Sequence, residues 1–278
     1  MPNLLKTIAE WIVYSNAWIS VGAVAFALTA ASYLQFNIPA SFLIFIFFTT
    51  LFAYNFQRLV KLNYAYVEPI SGPRANWIIR HQYTVYVTTV LSAIGGIMLG
   101  WPFFVEHKFV LVLIGMLSFF YVWKLPFLKR NLRSLPGLKI FVLSFTWVLA
   151  CQILPFLLFS SKPVSVVSNI FFVSSFLFVF SISIPFDIRD IKVDCKDMNT
   201  IPQLLGIKNA KWLGIVMLAV SCLLMLIVIK QFTIALIINT IATGSIIGKS
   251  EVQNEDLYYS GLVDGTVILH FVLLYFIP

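Results

Sequence analysis

Charge is scarce in this chain. Asp, Glu, Lys and Arg make up 11% of its 278 residues, against about 25% in soluble domains. No polar stretch is long enough to fold alone, so residues 1–278 read as a single domain. The three cysteines, Cys151, Cys195 and Cys222, have no metal or redox spacing, and Cys151 and Cys222 fall inside apolar runs. A disulfide scaffold is therefore not called for. The three histidines, His81, His107 and His270, lie far apart, and no zinc spacing or Ser-His-Asp arrangement appears. No glycine-rich nucleotide loop is present either. Gly95-Gly96 sits within an apolar run and reads as helix packing. Only Lys6 precedes the first apolar stretch and no small-residue cleavage pattern closes it, so the start does not read as a signal peptide.

Apolar residues supply what charge does not. They make up 60% of the chain, and the mean hydropathy is +0.93. A bilayer solvent explains this, because lipid-facing positions must be apolar as well as core ones. A membrane helix needs about 20 residues. On that rule the spans are 17–35, 39–60, 83–105, 108–125, 138–160, 165–187, 211–229, 231–249 and 261–278. Residues 4–16 form an amphipathic lead-in. The fold class is all-α: a polytopic membrane protein of nine transmembrane helices.

The gaps between spans alternate. Gaps 36–38, 103–108, 161–164 and 230–231 are short and poor in charge, and gaps 61–82, 126–137, 188–210 and 250–260 are longer and polar. Sixteen of the 19 Lys and Arg residues fall on the side of the N-terminus and the long gaps; Lys108, Lys162 and Lys230 fall on the other. The positive-inside rule puts the N-terminus in the cytoplasm and, with nine spans, the C-terminus outside. The expected location is a bacterial cytoplasmic membrane. The formal net charge of +8 does not point to nucleic acid, since the cations lie between spans rather than along one helix face.

Ten of the eleven acidic residues share that same side, Glu106 being the exception. Insertion rules do not require this, because acids contribute little to topology. The densest run is Pro185-Phe186-Asp187-Ile188-Arg189-Asp190-Ile191-Lys192-Val193-Asp194-Cys195-Lys196-Asp197. Asp187, Asp190 and Asp194 are spaced i, i+3, i+7, which puts three carboxylates on one helix face. Like charges so placed call for a cation. Hard oxygen ligands suit Mg²⁺, which takes one or two carboxylates and completes its shell with water and phosphate. The same run also reads as a solvated loop in which Arg189, Lys192 and Lys196 neutralise the aspartates.

This run, continuing to Thr200-Ile201-Pro202 and Gly206, resembles the second aspartate-rich motif of the UbiA family of intramembrane prenyltransferases, although the stretch between Asp194 and Thr200 is a residue short and lacks glycine. The resemblance implies a nine-helix UbiA-like bundle, with a central cavity opening near the cytoplasmic face beneath cap loops 61–82 and 188–210. It implies transfer of an isoprenoid chain from a prenyl diphosphate to a lipophilic acceptor, with Mg²⁺ held by Asp187, Asp190 and Asp194 as metal ligands and catalytic residues. The family's first motif is an Asn followed four and eight residues later by Asp. Here Asn55 matches, but Leu59 and Asn63 stand at the aspartate positions, which removes the ligands of one Mg²⁺.

Arg58 and Lys61 share that stretch of helix. They read either as topology flanks or as cations for a diphosphate, which a guanidinium binds bidentately and an ammonium meets as a point charge. The segment from Tyr121 to Lys139 is similar to the family's fourth-to-fifth helix connection, where a basic residue reaches the diphosphate. Asn55, Arg58, Lys61, Lys124, Arg130 and Lys139 are thus the candidate diphosphate contacts, with topology or contact with membrane lipid as the alternative for each cation. Asp264, near the start of the last span, faces either the interface or the cavity. The 27 Phe residues suit an isoprenoid tunnel and lipid contact equally. A family member that has lost the first metal site and binds lipid without catalysis is the competing reading. A small-solute transporter fits less well, since its polar site would lie near the midplane.

Overall fold

A computed structural model describes residues 4–64, 72–128, 130–228 and 233–277, with the side chains of 63 and 64 excepted. Ten helices follow one another: α1 (Leu4–Tyr14), α2 (Ala17–Leu34), α3 (Ala40–Tyr64), α4 (Pro73–Arg80), α5 (Gln82–Phe120), α6 (Leu138–Phe159), α7 (Val166–Asp190), α8 (Ile201–Val228), α9 (Thr233–Gly248) and α10 (Tyr258–Phe276). No strand occurs among the described residues. Seven of these helices, α2, α3, α5, α6, α7, α8 and α10, are long and apolar enough to cross a membrane, and α9 is a shorter apolar helix.

The count of nine spans meets this pattern at a break. Helix α5 runs for 39 residues, but His107 has non-helical dihedrals (φ −130°, ψ 47°). The break lies where the sequence divides 83–105 from 108–125, five residues after Pro102, whose missing N–H weakens the helix ladder. Helix α8 breaks at Gly206 (φ +77°), a conformation open to glycine, which separates the short 201–205 turn from the apolar run. The division of 211–229 from 231–249 at Lys230 falls outside the described residues, as do Lys129 and residues 65–71 of the first cap loop.

The long helices pack in order, α2 on α3, α3 on α5, α5 on α6 and so on, and α10 returns to α2, closing a ring. Gly95, Gly96 and Gly100 of α5 meet Phe48, Thr49 and Phe45 of α3; a Cβ at Gly100 would lie 2.5 Å from the Phe45 ring. Close approach thus fixes this pair, as the Gly95-Gly96 reading anticipates. Much of α5 is apolar outside the ring, with Leu91, Ile97, Met98 and Phe109 exposed. A contiguous surface of this kind needs lipid around it. On α1, Leu4, Leu5, Ile8, Trp11 and Ile12 form an exposed apolar face while Val13 and Tyr14 turn inward. That is the form of an interfacial helix.

Candidate functional site

The site lies where the polar ends of α3, α6, α7 and α10 converge. On α3, Tyr54, Gln57, Arg58 and Lys61 recur at three- and four-residue spacing and therefore share a face. On α7, Val179, Ile182, Ser183, Phe186, Asp187 and Asp190 do the same. With Lys139 and Trp147 of α6 and Asp264 of α10 they line a cavity of about 120 Å³. Two of the ring helices carry π-helical turns here, Leu149–Ile153 in α6 and Tyr258–Val263 just ahead of Asp264. Such turns recur at functional sites because they re-aim the helix face that follows.

The two connections that carry the charged residues are tied together. The Gly137 N–H, next to the start of α6, donates to the Met198 carbonyl at 3.0 Å. Gln203 holds the second connection by donating to the Asp194 carbonyl at 3.1 Å and accepting from the Thr200 N–H at 2.9 Å. Helix α7 ends at Asp190, and Asp194 follows on a turn whose N–H bonds the Asp190 carbonyl at 2.8 Å. The three aspartates therefore converge, although the helix does not reach the third.

What they converge on is a side chain. The Lys139 Nζ lies 2.8 Å from Asp187 Oδ1, 2.5 Å from Asp194 Oδ2 and 3.8 Å from Asp190 Oδ2. The first contact is an ion pair by distance that lacks the alignment of a hydrogen bond. Arg133 reaches both Asp190 and Asp194 at 3.3 Å, and Arg189 grips Asp190 through Nε at 2.8 Å and a second nitrogen at 3.3 Å. Lys139 and Asp187 are buried. Burial opposes the Arg133 charge, but Tyr121 and the carboxylates of Asp190, Asp194 and Asp187 outweigh it and hold its pKa above the ordinary arginine value.

These donors do not fit Mg²⁺. Its oxygen ligands must stand about 2.1 Å from the ion, and the space between Asp187 and Asp194 holds an ammonium. Lys139, Arg133 and Arg189 match the three carboxylates one for one, with Asp256 4.0 Å beyond Arg189, so the carboxylates already have cations where a divalent ion would bind. At an effective dielectric constant of 20, an ion about 4 Å from the Lys139 ammonium would meet a repulsion of about 8 kcal/mol. Among the described residues no group of three or more His, Cys, Asp or Glu side chains forms a metal site.

The remaining cations face the cavity. Among the described residues neither Arg58 nor Lys61 has a carboxylate within 4 Å, yet both line the cavity. Arg74 joins them from α4, its guanidinium donating to Asn16 Oδ1 at 2.5 Å and to Ser260 Oγ at 2.7 Å. Among the described residues its buried Nε has no hydrogen-bond partner. Burial lowers the Arg74 pKa, with Arg189 adding to the effect. Asp264 lines the same cavity and stands in no ion pair among the described residues. Three cations against one carboxylate leave an excess of two positive charges, which suits an anion.

Of the six expected diphosphate contacts, Arg58, Lys61 and Lys139 line the cavity. Asn55 stands behind its wall, accepting from Asn16 Nδ2 at 2.6 Å and donating to Thr88 Oγ1 at 3.4 Å. Lys124 and Arg130 lie on the exposed connection, where Arg130 approaches Asp197 at 3.9 Å. Arg74, Arg133 and Asn16 are site residues that sequence spacing does not mark. His81 packs between Trp11 and Trp77, and the ring of His270 meets the Tyr33 hydroxyl at 3.1 Å, so both are structural.

A second cavity of about 420 Å³ adjoins the first, lined almost wholly by apolar residues of α3, α5 and α6. Tyr54, Gln57, Tyr121, Leu143 and Trp147 line both. At this junction the Trp147 Nε1–H donates to the Tyr54 hydroxyl at 3.1 Å.

No protein-family model matches the chain, and no curated protein matches it by sequence. Solved structures do. A UbiA homolog from Archaeoglobus fulgidus bound to GPP and Mg²⁺ superposes with a TM-score of 0.61 at 12% identity, covering 96% of this chain and 99% of that one. Structures described as a UbiA homolog from the same organism bound to DMAPP and Mg²⁺, and as a UbiA homolog alone, give 0.58 at 12% and 0.56 at 14%, with the same coverage. The chain has the UbiA fold over essentially its whole length. At such identity the likeness speaks for the fold alone.

Proposed function

We propose that this protein is an intramembrane prenyltransferase that moves an isoprenoid chain from a prenyl diphosphate to a lipophilic acceptor. One observation carries this reading: a cavity with excess positive charge adjoins a larger apolar cavity, the two sharing aromatic lining residues. That division of polarity matches a ligand with an anionic head and a hydrocarbon tail. The prenyl diphosphates bound by the UbiA homologs of the same fold support it.

On this reading Arg58, Lys61 and Arg74 receive the diphosphate. Fixed donors stabilise the charge that gathers on a departing pyrophosphate without reorganising during the reaction. The bond between the allylic carbon and oxygen breaks with its electron pair going to pyrophosphate. The π faces of Tyr54 and Trp147, at the junction of the cavities, stabilise the cation left behind. An acceptor nucleophile then bonds to that carbon and gives its proton to a base, for which Asp264 is the candidate carboxylate. On the positive-inside reading the diphosphate enters from the cytoplasm.

The second reading, a lipid-binding protein without catalysis, draws on Leu59 in place of a first-motif aspartate. The experiment is to incubate purified protein with radiolabelled GPP, farnesyl or geranylgeranyl diphosphate and membrane lipid extract. Prenylated lipid together with released pyrophosphate is the expected result. Tight binding of the diphosphates with no release from any of them would favour the second reading.

A further inference from the structure

The aspartate motif of this chain already holds its cation. Lys139 arrives from α6 and sits between Asp187 and Asp194, which are seven residues apart on and just beyond α7. Its ammonium also lies 3.8 Å from Asp190, so one Nζ addresses all three carboxylates. Arg133 bridges Asp190 and Asp194, and Arg189 closes the far side of Asp190.

Such an arrangement has a physical requirement on both sides. Three buried or half-buried carboxylates cannot stay charged together without compensation, and an ammonium as buried as Lys139 cannot stay charged without acids. Each satisfies the other. A divalent ion would have to displace the ammonium into a cavity already lined by Arg58, Lys61 and Arg74, where like charges surround it.

We propose that the Lys139 ammonium permanently takes the divalent-cation position of this aspartate motif, so that the site accepts a prenyl diphosphate without metal. The motif then acts as a positioning device. It orients Lys139, Arg133 and Arg189 around the cavity and leaves Arg58, Lys61 and Arg74 to meet the phosphate oxygens. The loss of a first-motif acid at Leu59 follows the same logic, since a site that needs no metal needs no second set of ligands. This inference rests on the proposed prenyl diphosphate site for its ligand, but its metal half stands apart from it.

The test uses the full-length protein in lipid nanodiscs. Mn²⁺ titrated without any diphosphate and followed by electron paramagnetic resonance reads the motif directly. Wild type is expected to bind no Mn²⁺ at the aspartates, and Lys139→Met to gain one Mn²⁺ site that Asp187→Asn on the same background removes. GPP affinity of wild type should change by less than about twofold between EDTA and Mg²⁺, whereas Lys139→Met should lose about tenfold or more in EDTA. A stoichiometric Mn²⁺ site in wild type that Asp187→Asn abolishes overturns the proposal, as does GPP binding by wild type that requires Mg²⁺. If Lys139→Met does not fold, the two wild-type measurements decide. If GPP fails to bind wild type under any condition, the prenyl diphosphate reading fails, and the Mn²⁺ titration alone supports or overturns the occupancy by Lys139.

Discussion

Lys139 and Asp187, on adjacent helices of the ring, meet at 2.8 Å with both side chains buried. The pair locks α6 to α7 at the charged end of the bundle, and the cavity is built around that lock. It also gives three of the acids on that side, Asp187, Asp190 and Asp194, a role that topology does not supply. The aspartates hold cations in place, and the cavity keeps a positive excess.

Breaking this pair from one side should be costly. Asp187→Leu leaves a buried ammonium short of an acid and Lys139→Met leaves three carboxylates against two guanidinium groups, each a loss of about 3–5 kcal/mol. The double variant should lose clearly less than the sum, because it removes both charges. Thermal unfolding of the four proteins in detergent forms the double-mutant cycle. Additive losses would mean that the two side chains do not depend on each other.

Arg58 and Lys61 should behave differently. Neither has an acidic partner within 4 Å among the described residues, so Arg58→Gln and Lys61→Gln break no ion pair. Each is expected to leave the melting temperature nearly unchanged while weakening GPP binding by about 1.5–3 kcal/mol, the worth of a charge-assisted contact. Exposed Arg130→Gln should change affinity by no more than about 0.5 kcal/mol. Equal effects at Arg58 and Arg130 would place the anion outside the cavity.

The two kinds of cation look alike in the sequence, and this marks the limit of what is legible there. Apolar runs locate the helices, because bilayer thickness fixes their length, and the i, i+3, i+7 aspartates mark the site, because one face of α7 carries two of them. Arg133 and Arg74 read as positive-inside residues. They become site residues only because the Gly137–Met198 hydrogen bond and the entry of α4 bring distant segments together. Lys139 is marked by its place in the connection, but its partner is not. A diphosphate and a carboxylate make the same demand on an ammonium, and only the fold decides which one it meets.

Asn55 matches the family position and yet stands one layer back. It accepts from Asn16 Nδ2, and the Asn16 Oδ1 in turn accepts from Arg74. Asn55→Leu should therefore act through Arg74. Stability should fall by about 1–3 kcal/mol, since Asn16 loses a buried partner. GPP affinity should fall in parallel with that of Arg74→Gln, and the Asn55→Leu/Arg74→Gln double variant should bind GPP no worse than Arg74→Gln alone. A further loss in the double variant would mean that Asn55 touches the ligand itself.

The apolar cavity allows a test that leaves the charges untouched. Gly115 lies on the second half of α5 among its lining residues, and a Cβ built there meets nothing within 4 Å. A Cβ at this position displaces no neighbour. Gly115→Leu should keep or slightly raise stability, because replacing glycine inside a helix removes a penalty of about 1 kcal/mol. If the cavity holds the isoprenoid tail, a larger side chain in its lining leaves less room for a long chain. GPP, with the shorter chain, should bind and react almost as in wild type, while geranylgeranyl diphosphate should lose affinity by about tenfold or more, the worth of one or two displaced methylenes. Loss of both donors to the same degree would indicate a tail that runs elsewhere, and the polar cavity would then need another apolar exit.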